Sequence, residues 1–259
     1  MNYTRLLYSV GERICTITLN RPEKRNALDD EFVQELTHAF VAASKDAAAK
    51  VVILEANGNV FCAGADLDYL QRMSSYNFEE NLEDSKNLMR LFQTMYSMRK
   101  PIIAKVQGPA IAGGCGLATA CDIVVASEEA TFGYTEVKIG FIPAIVLTFL
   151  VRRIGEGKAR NLVLRGEIIS AREAKELGLV NEAVTSAKLS QEVQTIAESL
   201  CKNSSLTSMG LIKEMFANVD GKTLSDMLDY AANVNAVTRM SEDCRKGIAA
   251  FLNKEKIGW

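Results

Sequence analysis

The sequence predicts an α/β core that is followed by a helical C-terminal part. Up to about residue 185, short apolar runs of strand length alternate with amphipathic helical stretches. From Ser186 to near the end the pattern is helical alone. The chain has 259 residues, of which 48% are hydrophobic, so it can bury a large core. We therefore expect an α/β core over residues 1–185 and a helical part over residues 186–259.

The first predicted elements are a strand, a helix and a second strand. Apolar residues alternate with other residues over positions 13–19, which predicts a strand. Positions 30–45 carry one apolar stripe at helical spacing, and Asp29 or Asp30 can cap that helix. The run at positions 51–56 is apolar and rich in β-branched residues, so we expect a buried strand.

The middle of the chain repeats this alternation. Residues 68–98 have helical spacing and many methionines, which suits either a helix over an apolar pocket or a core-facing helix. Short apolar runs predict strands at residues 101–106 and 122–127.

The end of the core and the tail have helix signals of their own. A capping box at Ser170 and Glu173 begins a short helix that Gly178 ends. A strand or extended segment is expected at residues 179–184. In the tail, breaks at residues 203–205 and 220–221 predict two or three helices.

Composition excludes several classes of function. Lys and Arg number 30 against 32 Asp and Glu, and this near balance argues against a protein built to hold nucleic acid. The apolar runs are too short for a membrane span. Residues 1–6 lack the pattern of a secretory signal. None of the six cysteines forms C-x-x-C, so we expect reduced thiols and a cytoplasmic location.

The single histidine, His38, lies off the apolar stripe of its helix and is expected to face solvent. A Ser-His-Asp or Cys-His triad would depend on this residue alone, and no metal site is expected. Any chemistry should therefore rest on carboxylates and backbone dipoles.

A glycine-rich turn follows the strand at residues 101–106. Gly113, Gly114 and Gly116 open a run of small, apolar residues with helical character. Glycines here leave backbone N–H groups accessible, and the start of a helix favours a negative oxygen. The spacing matches neither a P-loop nor a dinucleotide fingerprint, which favours an oxyanion over a phosphate. A turn that is simply close-packed explains the glycines equally well.

A second turn and a charged loop complete the candidate site. Gly64, between two alanines soon after a strand, could present an N–H to the same oxygen, or could be needed for steric reasons alone. The loop at residues 20–28 carries three cations, Arg21, Lys24 and Arg25, which suit either an anionic ligand or a solvated surface.

Taken together, these motifs resemble the enoyl-CoA hydratase/isomerase (crotonase) family. They span most of the chain in the order of the family and are specific as a set. The matching motifs are Leu19-Asn20-Arg21-Pro22 with Asn26-Ala27-Leu28, Phe61-Cys62-Ala63-Gly64-Ala65-Asp66-Leu67, Gly108 with Ala112-Gly113-Gly114-Cys115, Cys121-Asp122, Phe132-Gly133 with Glu136, and Gly140 with Ile142-Pro143.

The resemblance implies a crotonase-like spiral of ββα units, with a helical C-terminal part used in trimer or hexamer assembly. It also implies an acyl-CoA or acyl-carrier-protein thioester as substrate, with coenzyme A entering as part of it and no separate cofactor. The N–H groups of Ala65 and Gly113 would form the oxyanion hole for the thioester carbonyl. The residues implied in holding coenzyme A are Arg21, Lys24, Arg25, Ala27, Ala63, Asp66 and Leu67.

The catalytic carboxylates depart from the pattern of the family. Hydratases of the family usually carry two glutamates, and the position of the first is Gly116 in this chain. The second falls on Glu136, which becomes the candidate acid/base, with burial expected to raise its pKa. With one carboxylate missing, the carboxylate of the substrate itself could supply that charge.

Three functions are compatible with these sequence features. Residues 135–144 and 149–155 resemble 3-methylglutaconyl-CoA hydratases and also the related enzymes that dehydrate 3-hydroxy-3-methylglutaryl groups on acyl-carrier proteins. This resemblance favours a hydro-lyase that acts on a branched thioester, with a role in leucine or fatty-acid metabolism. A Δ3,Δ2-enoyl-CoA isomerase, which also works with one carboxylate, is the alternative. A catalytically silent acyl-CoA or RNA binder on the same fold is the third.

Overall fold

The computed structural model describes residues 3–259. Met1 and Asn2, the start of the segment in which no secretory signal is expected, lie outside the described residues. All the other predicted elements and site residues fall within them.

Two sheets form the α/β part of the molecule. The larger has the order β1-β2-β3-β4-β6-β9, with β1 and β2 antiparallel and all later neighbours parallel. The smaller has the order β5-β7-β8. The strands are β1 Leu6–Gly11, β2 Ile14–Leu19, β3 Val51–Ala56, β4 Ile102–Val106, β5 Ala110–Ile111, β6 Ile123–Ser127, β7 Thr131–Gly133, β8 Ile168–Ser170 and β9 Glu182–Val184.

Helices connect these strands and form the tail. Two 3₁₀ turns, Pro22–Lys24 and Glu136–Ile139, fall in the loops that carry the predicted site. The helices are α1 Asp30–Lys45, α2 Leu67–Met73, α3 Phe78–Ser97, α4 Gly113–Ala120, α5 Ala144–Ile154, α6 Glu156–Arg165, α7 Ala171–Leu177, α8 Ser186–Asn203, α9 Leu206–Asn218, α10 Leu224–Met240 and α11 Glu242–Asn253.

The local signals in the sequence are confirmed at several helix ends. The side chain of Asp29 accepts a hydrogen bond from the backbone N–H of Phe32 and so caps α1. Ser170 and Glu173 form the predicted capping box of α7, and Gly178 ends that helix in the left-handed conformation.

Two of the predicted helical regions have more helices than expected. Residues 68–98 are not continuous, because Asn77 and Glu80 form a second capping box that begins α3 anew. The tail contains four helices rather than two or three, because Ser241 caps α11 as well as ending α10. Serine and asparagine caps within long polar helical stretches are easily mistaken for solvent-facing residues, which explains both errors.

The large sheet is covered on both faces. One face packs against the main core, which includes Phe32 and Leu36 of α1 and Phe92 of α3. The other face packs against α8, where Leu189 and Val193 contribute to a second cluster. Burial on both faces explains why residues 51–54 of β3 and 102–104 of β4 are continuous apolar runs. The division of the chain at residue 185 remains a prediction, with α8 packed directly on the sheet.

Candidate active site

The two glycine turns predicted to share an oxygen are in contact. The backbone N–H of Ile111 donates to the Cys62 carbonyl at 2.9 Å, which joins the two segments. A Cβ atom placed on Gly64 would lie 3.6 Å from the backbone nitrogen of Gly113. The turn that carries Ala65 therefore lies against the turn that carries Gly113, although 48 residues separate these two positions in the sequence.

Steric need explains some of these glycines but not Gly113. Gly64 has φ 90°, and a Cβ there would lie 2.9 Å from the Cβ of Ala112. A Cβ on Gly114 would lie 2.2 Å from the Cys62 carbonyl oxygen. On Gly113 it would meet only Leu28, at an ordinary 3.8 Å. The close-packed reading thus holds for Gly64 and Gly114, and the glycine at 113 leaves the start of α4 open.

The backbone is strained at Ala112, the residue that immediately precedes α4. Ala112 has φ 52° and ψ −124°, which an L-residue rarely adopts, and its N–H donates to the Gly133 carbonyl at 2.7 Å. Such strain persists only where the surrounding structure holds it, and it is concentrated at functional sites.

Two backbone amides are left free by this arrangement. Within residues 3–259, neither the Ala65 N–H nor the Gly113 N–H donates to a protein acceptor. Gly113 is the first residue of α4, so its N–H also lies at the positive end of the helix dipole. Two such donors can hold a developing oxyanion. Their assignment to one thioester oxygen remains a prediction.

Glu136 is buried and has one unpaired oxygen. The residue is 8% exposed, and its Oε2 is fully buried with no hydrogen-bond partner. In residues 3–259 only one other buried side-chain atom shares this status, Arg5 Nε, and it lies 3.2 Å from a carboxylate oxygen of Asp29. Burial raises the pKa of Glu136, and a hydrogen bond to its own backbone amide lowers it by less.

The Glu136 carboxyl belongs to the same neighbourhood as the first turn of α4. Burial raises the pKa of the Cys115 thiol to about 12, and the charge of Glu136 adds to this rise. The same charge contributes to the raised pKa of Tyr134, whose hydroxyl lies 2.7 Å from Thr119 Oγ1. An acid with a raised pKa therefore lies near the helix that begins at Gly113, which suits proton transfer.

The loop predicted to hold coenzyme A is fastened to the Gly64 turn. Leu28 N–H donates to the Gly64 carbonyl at 2.7 Å, and Ala63 N–H donates to the Arg25 carbonyl at 3.1 Å. Asn26 is fully buried, and its amide group donates to the carbonyls of Asn57 and Val60. The charged loop and the Gly64 turn are thus joined by backbone hydrogen bonds.

The three cations of this loop have different surroundings. The guanidinium of Arg21 is paired with Asp29 at 2.8 Å and with Asp66 at 3.5 Å. Its charge is therefore occupied within the protein, as is that of Asp66, which also caps α2. Lys24 and Arg25 are exposed, and Lys24 pairs with the exposed Asp68. Contact with the phosphates of a ligand stays a prediction that suits Lys24 and Arg25 better than Arg21.

The remaining residues predicted to hold coenzyme A differ in how far a ligand could reach them. Leu67 is 80% exposed at the start of α2, and Ala63 is half-buried. Ala27 is buried, so it can contribute only backbone atoms to a ligand. Their role in binding likewise stays a prediction.

Sequence reasoning missed three supporting residues. The sequence indicates Asn26 only as part of a motif and Asp29 only as a helix cap, and it indicates no role for Tyr134, which lies beside the Glu136 motif. The signal for Asn26 was a polar residue between a charged loop and an apolar run. No local signal pointed to Tyr134, because its hydroxyl partner Thr119 lies on another element.

Other predicted features lie away from the site. His38 is exposed, as expected, and hydrogen-bonds to the Tyr3 hydroxyl at 2.8 Å. In the described part of the chain, no three His, Cys, Asp or Glu side chains are grouped to hold a metal ion. No helix among residues 3–259 is both long and apolar enough to cross a membrane. A cavity of about 590 Å³ lies at the far end of α4, beside Asp122 and Lys213.

The family model described as enoyl-CoA hydratase/isomerase matches residues 9–259. The chain belongs to the enoyl-CoA hydratase/isomerase family. A protein of Thermus thermophilus provisionally named enoyl-CoA hydratase is 45% identical over 241 residues, which cover 93% of this chain and 95% of that protein. The 2,3-dehydroadipyl-CoA hydratase of Escherichia coli K12 is 32% identical over 252 residues, covering 97% and 96%. The chain is thus an enzyme of this family, and hydratase names predominate among the relatives.

Solved structures agree with the family and confirm the fold. A crystal structure of an enoyl-CoA hydratase from Shewanella pealeana has a TM-score of 0.93 at 31% identity, covering 99% of this chain and 96% of that one. An enoyl-CoA hydratase structure from Mycobacterium smegmatis has a TM-score of 0.92 at 29% identity, covering 99% of both chains. The predicted crotonase fold with C-terminal helices is therefore confirmed. The names of these relatives do not single out a 3-methylglutaconyl thioester.

Proposed function

We propose that this enzyme hydrates an enoyl thioester with Glu136 as its only acid/base. The observation that carries the proposal is a buried carboxyl with a free oxygen, near the helix whose first amide is unpaired. Buried polar groups normally have partners, so an exception at this place indicates a group kept for a substrate.

The proposed reaction uses the two amides and the carboxyl in turn. The N–H groups of Ala65 and Gly113 hold the thioester oxygen while charge moves onto it as an enolate. The Glu136 carboxylate takes a proton from water as the water oxygen bonds to C3, and the same carboxyl then gives a proton to C2. The sum is the addition of H and OH across the double bond. Each oxyanion donor is worth about 3–4 kcal/mol in systems where one has been removed.

The proposed binding of coenzyme A follows from the loop that is fastened to the Gly64 turn. Exposed Lys24 and Arg25 would face the phosphates, while Leu67 offers apolar contact beside the amide of Ala65. The backbone of residues 63–67 would lie along the thioester end of the ligand. Arg21 and Asp66 would position this loop through their ion pair rather than bind the ligand with their side chains.

The acyl group that we propose is a branched one, with 3-methylglutaconyl-CoA as the first example to test. Residues 135–144 and 149–155 support this, through their resemblance to hydratases of that branch. The carrier can be coenzyme A or an acyl-carrier protein, and such a substrate would place the enzyme in leucine or fatty-acid metabolism. We place the enzyme in the cytoplasm, supported by six free cysteines.

The isomerase is the second candidate, and one observation favours it. No charged group contributes to the raised pKa of Glu136 in the described structure, so the carboxyl has no second acid to work with. A single carboxyl can move a proton between two carbons of a 3-enoyl-CoA without any water. The hydratase ranks first because hydratase names predominate among the relatives.

Assembly into a homotrimer or a dimer of trimers is part of the proposal. Large apolar side chains are exposed along the tail, among them Phe216, Leu224, Met240 and Phe251, which are 66% to 83% exposed. A single chain rarely leaves so many such residues open to water, so this part of the molecule suits contact with further copies.

The decisive experiment is a thioester panel assayed with the natural enzyme and with Glu136→Gln. The panel contains 3-methylglutaconyl-CoA, crotonyl-CoA and a 3-enoyl-CoA, with water addition and double-bond migration followed separately. We expect hydration by the natural enzyme and its loss in the variant. Faster migration than hydration would establish the isomerase instead. Binding of RNA that weakens steeply with salt, with no turnover of any thioester, would support the silent binder.

The oxyanion role needs a test that is independent of Glu136. A chromophoric aryl-enoyl-CoA absorbs at longer wavelength when its carbonyl oxygen is polarised. We expect this shift on binding to the natural enzyme and to Glu136→Gln alike. An unshifted spectrum in a saturated complex would contradict the assignment of Ala65 and Gly113.

A further inference from the structure

Gly116 lies at a point where three helices meet. It is three residues after Gly113 in α4, so both lie on the same side of that helix. A Cβ on Gly116 would lie 2.2 Å from Cγ1 of Val146 in α5 and 3.3 Å from Cζ of Phe92 in α3. The volume into which a side chain at position 116 would extend is therefore already filled.

Val146 is held firmly in that volume. Together with Leu150 and Ile154 it forms the buried face of α5, and it is 4% exposed. The ring of Phe92, which borders the same space beside Gly116, stacks on Phe149 with a centroid distance of 5.6 Å. A β-branched side chain packed in this way has little freedom to turn aside.

The filled volume is also an apolar one. Its walls are the isopropyl group of Val146 and the ring of Phe92, both hydrocarbon. In the described structure, burial is what raises the pKa of Glu136, and no cation opposes it. A second charge placed here, whether from the protein or from the substrate, would be buried without a partner.

We propose that Val146 is a specificity-determining residue that keeps a second acid out of this site and presents a hydrocarbon wall to the acyl group. The inference rests on the proposed function and makes it more specific. It replaces the expectation that a substrate carboxylate fills the place of the missing glutamate, because that place is occupied. A carboxylated acyl group is accepted only with its carboxylate directed away from Gly116.

The main test restores a second acid with and without room for it. Gly116→Glu alone should lose thermal stability and gain no hydration, because Val146 occupies the space. In Val146→Gly even the Cβ, which would lie 2.8 Å from a Cβ at 116, is removed. Gly116→Glu with Val146→Gly should then hydrate crotonyl-CoA at least about 10-fold faster than Val146→Gly alone, since a positioned acid contributes about 10²–10⁴. Its pH–rate profile should gain a second ionisation.

A milder pair of variants tests the wall without a new charge. Val146→Ala should change the ratio of kcat/KM for 3-methylcrotonyl-CoA over crotonyl-CoA by about 10-fold, the usual effect of a methyl-sized change in an apolar pocket. The control is Val151→Ala, the same change on the same helix at a partly exposed position, which should leave the ratio unchanged.

The outcomes separate the two proposals. If the natural enzyme hydrates no thioester in the panel, the proposed function fails. If it hydrates them but Val146→Ala leaves the ratio unchanged, the role of Val146 is overturned. An equal gain in Gly116→Glu with Val146 intact would overturn it as well, because Val146 would then be no obstacle. Should the double variant fail to fold, the ratio measured with Val146→Ala decides.

Discussion

Acidic side chains are buried in two regions of the molecule, with ion-pair partners in one region and without them in the other. At the charged loop, Asp29 and Asp66 share the guanidinium of Arg21, and each also caps a helix. At the other region, Glu136 is as deeply buried but has a free oxygen and no cation. Asp29 and Asp66 stabilise the loop through their ion pairs, whereas Oε2 of Glu136 makes no hydrogen bond.

The difference shows how to separate supporting acids from reacting ones. A buried carboxylate without partners costs free energy, which paired carboxylates largely recover through ion pairs and hydrogen bonds. A fold keeps an unpaired acid only where some other requirement outweighs this cost. Under the proposed function, that requirement is a proton acceptor beside the thioester carbons.

Removal of the Glu136 carboxyl should reduce activity more than any other change considered. Glu136→Gln keeps the shape but removes proton transfer, so kcat for hydration should fall by about 10²–10⁴ with little change in KM. Steady-state kinetics on the preferred thioester of the panel measure both. The matched control is Glu128→Gln, at an exposed glutamate in the turn between β6 and β7, which should keep full activity. Undiminished turnover by Glu136→Gln would remove Glu136 from the mechanism.

Removal of the Arg21 guanidinium should have the next largest effect, on the stability of the fold. Arg21→Met leaves Asp66 buried without its cation, so the free energy of unfolding should fall by about 3 kcal/mol, as when one partner of a buried pair is removed. Urea denaturation followed by circular dichroism measures it. Arg25→Met, four residues away and exposed, should change the stability by less than about 0.5 kcal/mol. Equal losses in the two variants would mean that the Arg21 cluster is not what secures the loop.

A smaller effect, on KM, is expected when the exposed cations Lys24 and Arg25 are replaced. If Lys24 and Arg25 face the phosphates, replacing either by Ala should raise KM about 5-fold, since one exposed charge contact is worth roughly 1 kcal/mol. The effect should shrink in high salt, while kcat stays nearly constant. Lys175→Ala, on α7 and paired with Glu182, is the control. Unchanged KM in both loop variants would place the phosphates elsewhere.

The smallest effect is one of stability against pH. Burial raises the pKa of Glu136 in the folded protein above its value of about 4.3 in the unfolded chain. The contribution of Glu136 to the stability of the fold is therefore fully present below about pH 4.3 and is lost as the pH rises through the folded pKa. Glutamine does not titrate. Glu136→Gln should therefore have a higher Tm than the natural enzyme at neutral pH, with the difference shrinking towards pH 4. A difference that is constant with pH would mean that the carboxyl is not destabilised by burial.

The sequence predicted the fold best where local signals and burial agree. The strand β2 has an alternating pattern, β3, β4 and β6 are mostly apolar runs, and the caps at Asp29 and Ser170 are local, so all were found. The pairing of Arg21 with Asp66 joins residues 45 positions apart, and no pattern in either segment indicates it. From the pattern alone the charged loop suits either a ligand or a solvated surface, and only the resemblance assigns it to coenzyme A. Neither indicates that Arg21 pairs within the protein.

The candidate site was predictable in the same uneven way. The two glycine turns were found from the pattern of the sequence and Glu136 through the family motifs, and the structure shows the turns touching. What occupies the space beside Gly116 could not be found, because Val146 comes from another helix and a valine in an apolar stretch carries no signal. Gly116 shows that the first glutamate of the family is missing, but it does not show that Val146 occupies the space.

Backbone hydrogen bonds join residues 25–28 to residues 63–66. Under the proposed function, they connect the segment that binds the nucleotide portion of coenzyme A to the segment that binds the thioester. In that case a displaced nucleotide portion would also displace the Ala65 amide from the thioester carbonyl, because these hydrogen bonds couple the two segments. Short thioesters that keep the acyl group but lack the nucleotide should consequently react slowly even at saturation, since gripping the distant portion helps to align the bond that changes.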